Sequence, residues 1–526
     1  MSMTHVHYVQ QLLDHFDAEP DRAAMVSDDT LLTTGELADA TRRAAAVMGG
    51  QGITRGDVVC VLTRTNTAAT MILQWAVNLV GATAAHLRWV NPDGPEDELR
   101  TELRRALGTD AGVRMLAVDA ANEERARGLL ADTTDRPILA VLGEGRPDTV
   151  DLTAGSGDGA GPAADLADDD LAVITQVRLP SGRNGVCWTF GVRNAMVSAA
   201  PCLPPMPSAT GRTNLLITTP LIHSDVFAAD DTLVSGGMVV LQPGFDAGAV
   251  LRAVAEYRIS RLFLGAPQMY ALAEHPDRPG TDLSSLTELF YSGRPAPQRL
   301  REVQEIFGPV LIQVYGTTET GVLTMLASDE HGDPDALGTV GRPVNPGGVS
   351  VRHPETGEAL AAGEVGEVCA IPSWPSAGYW HDPELTAALI RDGWVRTGEL
   401  GHLDTEGYLH LSGRLADLMK INGSHIHPDA VEKVLGQLPG VSQTAVCGVE
   451  DADRVERIYA VVVPEPGAVV DVQELRRQVA EALSDNHVPS LIEIRRSLPK
   501  TGWGKPDRVQ LRADGRAALT RPVSRV

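Results

Sequence analysis

About the first four hundred residues alternate between strand-like and helix-like segments, and this alternation constrains the fold more than any other feature of the sequence. Segments with helical periodicity, such as Ala247–Tyr257 and Pro297–Phe307, separate short apolar runs of strand length. These runs include DVVCVLTRT, MLAVDA, PILAVLG, LAVITQV, NLLITTPL, GGMVVLQPG, RISRLFLGAP, LTELFYSGR and GPVLIQVYG. Such alternation predicts mostly parallel sheets with helices on both faces. Ligands of such sheets bind at the carboxyl ends of the strands.

From about Gly341 onward, the sequence changes to shorter β-like segments that are rich in Gly and Pro. Beyond Arg414 the chain has two helix-like segments, Asp429–Leu438 and Val472–Asn486, among alternating strand-like runs. A chain of 526 residues exceeds the length at which one core usually divides. We therefore predict an α/β fold. It has a large N-terminal domain (residues 1–414) of parallel-rich sheets flanked by helices, which includes a β-rich subdomain. A small α+β C-terminal domain (residues 415–526) follows.

The charge balance argues against two classes of partner. Asp and Glu number 69 against 45 Lys and Arg, which gives a net charge of −24. Binding to nucleic acid needs a basic face that neutralises phosphates, and anionic membranes also attract basic segments. We therefore expect neither nucleic acid nor membrane as a partner, although local groups can still hold a small anionic ligand. Residues 65–87 lack charged side chains, but Asn66, Gln74 and Asn78 interrupt the run, which favours a buried core helix.

The five cysteines are scattered and form no CxxC pair. This pattern argues against a disulfide framework or a zinc–thiolate site and is typical of a reducing compartment. The first twenty residues lack the basic segment and apolar core of a signal peptide. We therefore expect a cytoplasmic protein.

One polar cluster directly follows an apolar strand-like run. It reads YGTTE and comprises Tyr315, Gly316, Thr317, Thr318 and Glu319. Glycine permits close backbone approach to a ligand, threonine hydroxyls can donate to phosphate oxygens, and a carboxylate can hold Mg²⁺. Considered alone, an ordinary polar turn is the simpler interpretation.

Two later stretches also carry candidate chemistry. In the first, residues 394–432, Glu399 could accept both hydroxyls of a ribose and Arg414 could supply a fork of donors. The alternative is a β-rich connector with a surface ion pair. In the second, LPKTGWGKPDR, Lys505 lies between Gly504 and Pro506 on an expected exposed turn, where a lysine is usually solvated.

These three stretches, in this order, resemble the adenylate-forming superfamily of acyl-CoA synthetases, peptide synthetase adenylation domains and luciferases. The resemblance covers nearly the whole chain and also includes PLIHSD, YSGRPAP, GTVGRPV and GYWHDPELT. It implies activation of a carboxylic acid by ATP to an acyl-adenylate, with release of pyrophosphate. It further implies transfer of the acyl group to a thiol, often CoA. A mobile C-terminal domain, with a hinge near Leu415–Asp417, would rotate between the two half-reactions.

The resemblance also implies a role for each matched residue. Thr318 would contact the α-phosphate, and Glu319 would bind Mg²⁺. The adenylate would lie against the residues Gly293, Arg294, Pro295, Tyr315, Gly316 and Thr317. Glu399, helped by Arg414, would hold the ribose hydroxyls.

Further roles concern the acyl group, the thiol and the adenylation step. Lys505 would reach the α-phosphate and the acyl carboxylate during adenylation, and His223 would border the acyl pocket. The pantetheine channel for CoA would be flanked by the residues Lys420, Asn422 and Gly423.

The chain departs from the family pattern most at its phosphate loop. There the family has several glycines and a lysine, whereas this chain has Arg178, Ser181 and Asn184. Loss of a charge-assisted contact costs about 1.5–3 kcal/mol, and Arg and Ser poorly adopt the backbone angles that glycine allows. Arg178 or Arg183 could replace the charge of the lysine, but neither restores the glycines, so this degenerate phosphate loop should hold pyrophosphate badly. Two smaller departures are Glu399, where the family has Asp, and Ala416 at the pivot position.

The asymmetry between this loop and the retained adenylate motifs leads to three hypotheses. The first is an acyl-CoA synthetase-type ligase biased toward transferring the acyl group of an acyl-adenylate to CoA, with a separate adenylating enzyme as supplier. The second is a full ATP-dependent synthetase with an atypical loop, which would use a carboxylic acid, ATP, Mg²⁺ and CoA. The third is a non-catalytic scaffold that binds AMP or a partner. The presence of Lys505 argues against the first hypothesis. A carrier protein, in place of free CoA, is left open as the acyl acceptor.

Overall fold

The computed structural model describes residues 7–87, 112–131, 133, 136–156, 166–179, 182–199, 212–221, 224–293, 295, 297–422, 424–451, 454–499 and 506–520. The chain forms two compact units. The first comprises Met1–Gly348 and Ala370–Val395, and the second comprises Val349–Cys369 and Arg396–Val526. The predicted domain boundary after residue 414 marks where the mobile C-terminal domain would begin, and it stays a prediction.

The first unit contains a seven-stranded sheet. In side-by-side order, with strands numbered along the chain, it consists of β7 (Val150–Asp151), β6 (Ile138–Leu142), β5 (Val113–Asp119), β3 (Val58–Leu62), β4 (Thr83–His86), β8 (Leu171–Leu179) and β9 (Gly182–Thr189). Every pairing is parallel except that of β8 with β9, which is antiparallel.

A nine-stranded sheet also lies in the first unit. Its order is β16 (Arg342–Pro343), β15 (Gly321–Leu326), β14 (Leu311–Thr317), β13 (Glu288–Ser292), β12 (Arg261–Gly265), β10 (Asn214–Ile217), β11 (Met238–Leu241), β1 (Ala23–Ser27) and β2 (Thr30–Thr33). The pairings from β1 to β14 are parallel, and antiparallel pairs occur only at the two ends. The predicted parallel-rich sheets are confirmed.

Helices connect these strands, as the alternation predicts. They are α1 (Tyr8–Ala18), α2 (Thr34–Gly50), α3 (Ala68–Leu79), α4 (Glu123–Leu130), α5 (Phe190–Ala199), α6 (Ser224–Val234), α7 (Ala247–Glu256), α8 (Ala266–Ala273), α9 (Pro297–Phe307) and α10 (Pro383–Leu389). Helix α3 is the uncharged segment expected to lie in the core, and it is buried throughout. Among the described residues, no helix combines the length and hydropathy needed to cross a membrane.

The polar residues Asn78 and Gln74 of α3 form hydrogen bonds inside the core. Asn78 donates to the carbonyl oxygens of Ala82 and Ala172, at 3.0 and 2.7 Å, and its own side-chain oxygen accepts from the Tyr8 hydroxyl. Gln74 Oε1 lies 2.8 Å from His86 Nε2. Because buried polar groups are costly only when they lack partners, these hydrogen bonds explain how polar residues interrupt a core helix.

A fully buried ion pair joins α5 to α6. The guanidinium of Arg193 pairs with the carboxylate of Asp230, and both side chains have no solvent exposure. Trp75 Nε1 donates to the same carboxylate at 2.9 Å, and the guanidinium lies over the rings of Phe227 and Tyr8, 4.2 and 4.8 Å from their centroids. Since a buried charge is tolerated only when paired, these contacts tie α1, α3, α5 and α6 into one arrangement.

The second unit combines small sheets with helices. Its strands are β17 (Val349–Arg352), all but the last residue of β18 (Gly366–Ala370), most of β20 (Trp394–Leu403), β21 (Leu409–Arg414), β22 (Met419–Ile421), β23 (Ser424–Ile426), β24 (Val441–Glu450), β25 (Glu456–Pro464) and β26 (Leu491–Ile494). Short β19 (Ile390–Arg391) belongs to the first unit and pairs with Trp394 and Val395. The helices are α11 (Pro428–Gly436), α12 (Val472–Ala482) and α13 (Arg508–Thr520).

Strands β24 and β25 separate two apolar clusters in this unit. Val446, Ile458 and Ala460 pack with residues of α11 and α12. The neighbouring residues Tyr459 and Val461 pack with Leu511 of α13. Because successive side chains of a strand point to opposite faces, helices cover both faces of this sheet. The predicted small α+β region is confirmed.

His7 provides a test of the packing of α1. Its Nδ1 accepts from the Val9 backbone at 3.1 Å, its Nε2 lies 2.8 Å from the carbonyl oxygen of Asn78, and burial lowers its pKa to about 4 from a usual 6.5. Folding thus favours neutral His7. The resulting stability is complete above pH 6.5 and is lost as the pH falls toward 4.

We expect His7→Asn, which keeps a helix-capping side chain that does not titrate, to flatten this part of the pH dependence. Between pH 7 and 4, the wild type should lose up to about 3 kcal/mol more unfolding free energy than the variant. Urea unfolding of both proteins at several pH values measures the difference. Parallel curves would show that His7 is not the titrating group.

Candidate functional site

The turn between β14 and β15 presents the cluster that follows the strand-like run. Thr318, Glu319 and Thr320 form this turn, and the backbone N–H of Thr317 donates to Thr320 Oγ1 at 3.1 Å. A Cβ added at Gly316 would lie 1.9 Å from the carbonyl oxygen of Gly321. Only glycine fits there, so the closeness of the two backbones shapes the turn. The side chains of Thr317, Thr318 and Glu319 are half-buried.

Glu319 has a hydrogen-bond partner from a distant part of the chain. The Tyr379 hydroxyl donates to Glu319 Oε1 at 2.8 Å. Burial and the adjacent carboxylate raise the pKa of Tyr379 well above its usual value, so the hydroxyl keeps its proton and remains a donor.

Glu319 fits a hard cation that is shared with a substrate. No group of three or more His, Cys, Asp or Glu side chains in the described part of the chain could hold a metal ion by itself. Mg²⁺ usually keeps several waters and binds through one or two carboxylates plus substrate phosphates. A lone carboxylate beside two threonines therefore suits Mg²⁺ carried by a nucleotide.

Strands β8 and β9 pair antiparallel and form a hairpin around residues 180 and 181, which lie outside the described residues. Gln176 lies opposite Gly185 and Val177 opposite Asn184. The strand-like run LAVITQV is therefore confirmed as part of β8, and the hairpin extends the seven-stranded sheet. Arg178 lies in β8, with its backbone opposite Arg183.

The side chain of Asn184 is engaged within the protein. Its Nδ2 donates to Asp382 Oδ2 at 3.2 Å, and its Oδ1 accepts from the backbone N–H of Gly185 at 2.8 Å. Asp382 also caps α10, since its other carboxylate oxygen accepts from Leu385 N. Asn184 is thus a neutral side chain that bonds to the residue capping α10.

Residues 377–382, called here the edge segment, lie along the outer edge of β9. Cys187 N donates to the Gly378 carbonyl at 2.9 Å, and Ala377 N donates to the Cys187 carbonyl at 2.8 Å. Trp380 N donates to the Gly185 carbonyl at 2.8 Å. The edge segment therefore extends the seven-stranded sheet, while its Tyr379 contacts a turn of the nine-stranded sheet.

The predicted adenine-binding residues lie at the ends of neighbouring parallel strands. Gly293 directly follows β13 with a φ of 109°, and Gln313 of β14 donates to its carbonyl oxygen at 2.8 Å. Pro295 is half-buried. The structure thus brings Gly293 to the carboxyl edge of the sheet that also carries Tyr315, where ligands of parallel sheets bind.

In the second unit, Glu399 and Arg414 are cross-strand neighbours. They face each other in the β20–β21 pair, and Arg414 Nε donates to Glu399 Oε1 at 2.8 Å. The arginine is exposed, whereas the glutamate side chain is 16% exposed. The longer side chain of Glu, compared with Asp, reaches this partner, and one carboxylate edge is left for other donors.

The residues predicted to flank CoA lie on a small hairpin of the same unit. Lys420 in β22 is exposed and faces His425 across the pair. Asn422, with a φ of 50°, begins the turn and donates to Asn486 at 3.1 Å. Their role toward CoA stays a prediction.

The predicted hinge is a single 3₁₀ turn, Leu415–Asp417. The Asp417 carboxylate accepts from Arg512 and lies 3.6 Å from Arg508 Nε, and both arginines belong to α13. Residue 417 is thereby fastened to the last helix. Ala416, just before it, is exposed.

Five predicted residues fall outside the described part of the chain: Ser181, His223, Arg294, Gly423 and Lys505. The side chain of Arg178 lies outside it as well. Sequence reasoning assigned no role to Tyr379 or Asp382, although GYWHDPELT contains both. Their partners, Glu319 and Asn184, are far away along the chain, so no local pattern indicated the contacts.

Comparison with known proteins identifies two family models. Residues 13–175 and 185–380 match the AMP-binding enzyme family, and residues 430–505 match the AMP-binding enzyme C-terminal domain. The matched segments leave out residues 176–184, the hairpin that carries Arg178, Ser181 and Asn184.

Relatives of known activity span most of this chain. It is 30% identical over 514 residues to a medium/long-chain-fatty-acid–CoA ligase, FadD8, of Mycobacterium tuberculosis, which covers 92% of this chain and 86% of the relative. It is 32% identical over 492 residues to a feruloyl-CoA synthase of an Amycolatopsis species, with 92% and 94% covered. The solved structure of the amide bond synthetase McbA from Marinactinospora thermotolerans superposes with a TM-score of 0.83 and is 33% identical, with 97% of this chain and 99% of that chain covered.

The closeness of Gly316 to Gly321 predicts a specific cost for a single methyl group. We expect Gly316→Ala to destabilise the protein by about 1–3 kcal/mol, because the added carbon meets backbone atoms that cannot move aside. Gly338→Ala is the matched control, since a Cβ there meets nothing within 4 Å. Thermal and urea unfolding of the three proteins measure both effects. Equal stability of the two variants would contradict the geometry of this turn.

Proposed function

Because this chain belongs to the AMP-binding enzyme family, we propose that it is a ligase biased toward the second half-reaction, the transfer of the acyl group from an acyl-adenylate to CoA. Its acyl-CoA ligase relatives support an acyl-CoA synthetase-type function with a carboxylic acid and CoA as small-molecule partners. The bias, the separate adenylating enzyme and the residue roles are the finer parts of the proposal.

The observation that carries the bias is the state of Asn184. A lysine at this position would bring a cation to the β- and γ-phosphates, but the Asn184 amide is neutral and bonds to Asp382 and Gly185. The interruption of the family match at residues 176–184 supports a departure at this site. By contrast, the turn with Thr317, Thr318 and Glu319 keeps the residue types of the family.

The loss affects the two half-reactions unequally. A missing charge-assisted contact costs about 1.5–3 kcal/mol, which is roughly ten- to a hundredfold in binding. This loss weakens the binding of ATP and of pyrophosphate. It does not weaken the binding of an acyl-adenylate, which has neither a β- nor a γ-phosphate. Binding of the adenylate should therefore be retained, while binding of the β- and γ-phosphates of ATP is weakened.

The second half-reaction involves no β- or γ-phosphate and therefore does not require the phosphate loop. The thiol sulfur forms a bond to the acyl carbon, the bond from that carbon to the phosphate oxygen breaks, AMP leaves with the electron pair, and the thiol proton passes to solvent. Hydroxyls at Thr317 and Thr318 can stabilise charge on the α-phosphate, and Glu399 can fix the ribose. Lys420, Asn422 and Gly423 would flank the thiol, and His223 the acyl group. Lys505, which would serve the adenylation step, would add a cation near the bound adenylate.

A second candidate differs only in the acceptor. The whole-chain similarity to the amide bond synthetase McbA, at 33% identity, favours an amine that attacks the same acyl-adenylate. The amine nitrogen would then take the place of the sulfur, and the product would be an amide with release of AMP. Adenylate-binding residues would serve both acceptors alike.

An assay of the separate steps tests the proposal. We expect purified protein, given a synthetic acyl-adenylate and CoA, to form thioester at least tenfold faster than it exchanges labelled pyrophosphate into ATP with the matching acid. A parallel reaction replaces CoA with a primary amine and identifies the acceptor by mass spectrometry. Pyrophosphate exchange as fast as transfer would show a full ATP-dependent synthetase. Failure of every reaction, with AMP still bound in calorimetry, would show a scaffold.

Restoring the family pattern of the loop provides a second prediction. The triple variant Arg178→Gly, Ser181→Gly, Asn184→Lys should raise pyrophosphate exchange by about ten- to a hundredfold, because it places a cation at the position of the family lysine and returns two flexible positions. Its rate of transfer from acyl-adenylate to CoA is the internal control and should not change. If exchange stays at the wild-type level while transfer is intact, the loop is not the cause of the bias.

A further inference from the structure

We propose that Tyr379 is a positioning residue that orients the carboxylate of Glu319 toward a nucleotide-bound divalent cation. The inference rests on the proposed function, in that Glu319 is the carboxylate that meets the metal–nucleotide complex. The hydroxyl of Tyr379 acts through Glu319 and does not itself contact the reacting atoms.

The contact has the geometry of a directed hydrogen bond. The distance from the Tyr379 oxygen to Glu319 Oε1 is 2.8 Å, and both side chains are half-buried. Only one of the two carboxylate oxygens is engaged in this bond. A hydrogen bond to one oxygen limits rotation of the carboxylate and leaves Oε2 oriented for a cation.

The backbone of Tyr379 is held on both sides. Its N–H donates to Thr386 Oγ1 at 2.9 Å. On either side of it, Gly378 accepts from Cys187 and Trp380 donates to Gly185, so this part of the edge segment is paired with β9. A phenol on a paired strand is a firmer anchor than one on an open loop.

The same segment joins both parts of the phosphate region. Asp382 at its end accepts from Asn184, while Tyr379 donates to Glu319. The hairpin that would face the β- and γ-phosphates and the carboxylate that would face their cation are thus positioned by one short stretch of chain. Outer-shell hydrogen bonds of this kind typically change metal affinity by about ten- to a hundredfold when they are removed.

Tyr379→Phe removes only the hydroxyl and tests the proposal. Mn²⁺ serves as a paramagnetic probe in place of Mg²⁺, and its binding in the presence of ATP is followed by electron paramagnetic resonance. We expect the dissociation constant of Mn²⁺ to rise about ten- to a hundredfold in the variant. Tyr257→Phe, which lies at the end of α7, is the matched control and should bind Mn²⁺ like the wild type.

Two further measurements separate this role from a purely structural one. The affinity for AMP without metal, measured by calorimetry, should not change in Tyr379→Phe. Thermal unfolding establishes that the variant is folded. Equal Mn²⁺ affinity of the variant and the wild type overturns the inference, as does a wild type that binds no Mn²⁺ with ATP. Failure of acyl transfer in the wild type would instead refute the proposed function. The Mn²⁺ affinities of the wild type and Tyr379→Phe could still be compared in that case.

Discussion

The backbone pairing between β9 and the edge segment is the interaction on which the candidate site depends. Three main-chain hydrogen bonds, at Cys187, Ala377 and Trp380, bring residues from late in the first unit beside a hairpin nearly two hundred positions earlier. Main-chain bonds of this kind do not depend on side-chain identity. Side chains of the hairpin can therefore differ without loss of its place in the fold.

The sequence predicts the layers of this molecule well and its site contacts poorly. Helix α9 has the predicted bounds, Pro297–Phe307, because its apolar residues recur with helical spacing. Helix α12 ends at Ala482, before the predicted Asn486, since a separate 3₁₀ turn follows. Periodicity is a local property, so one sequence reveals it. The contacts of Glu319 with Tyr379 and of Asn184 with Asp382 join distant segments, and no local pattern encodes them.

Polar residues in apolar surroundings mark where the fold is specified most strictly. Asn78 in α3 and the Arg193–Asp230 pair would be costly if unpaired, yet backbone carbonyls outside the helix accept from Asn78 and the two charges pair with each other. Sequence reasoning could predict that α3 is buried, but it could not name these partners. The same holds for the phosphate region, where a neutral asparagine becomes informative only once its hydrogen bonds to Asp382 and Gly185 are known.

The proposed loss of phosphate binding at the hairpin and the proposed orientation of the Glu319 carboxylate both concern the negative charge of the ATP phosphates. A triphosphate carries several negative charges, and this chain is itself strongly acidic, with a net charge of −24. If the hairpin supplies no lysine to the phosphates, as proposed, the divalent cation would neutralise a larger share of the phosphate charge. The orientation of Glu319 by Tyr379 should then matter more to ATP than it does in a relative with an intact loop. An acyl-adenylate has one phosphate charge and no tail, so on the proposed function its binding would depend on neither the missing lysine nor the cation, and a change in one hairpin would then separate the two half-reactions.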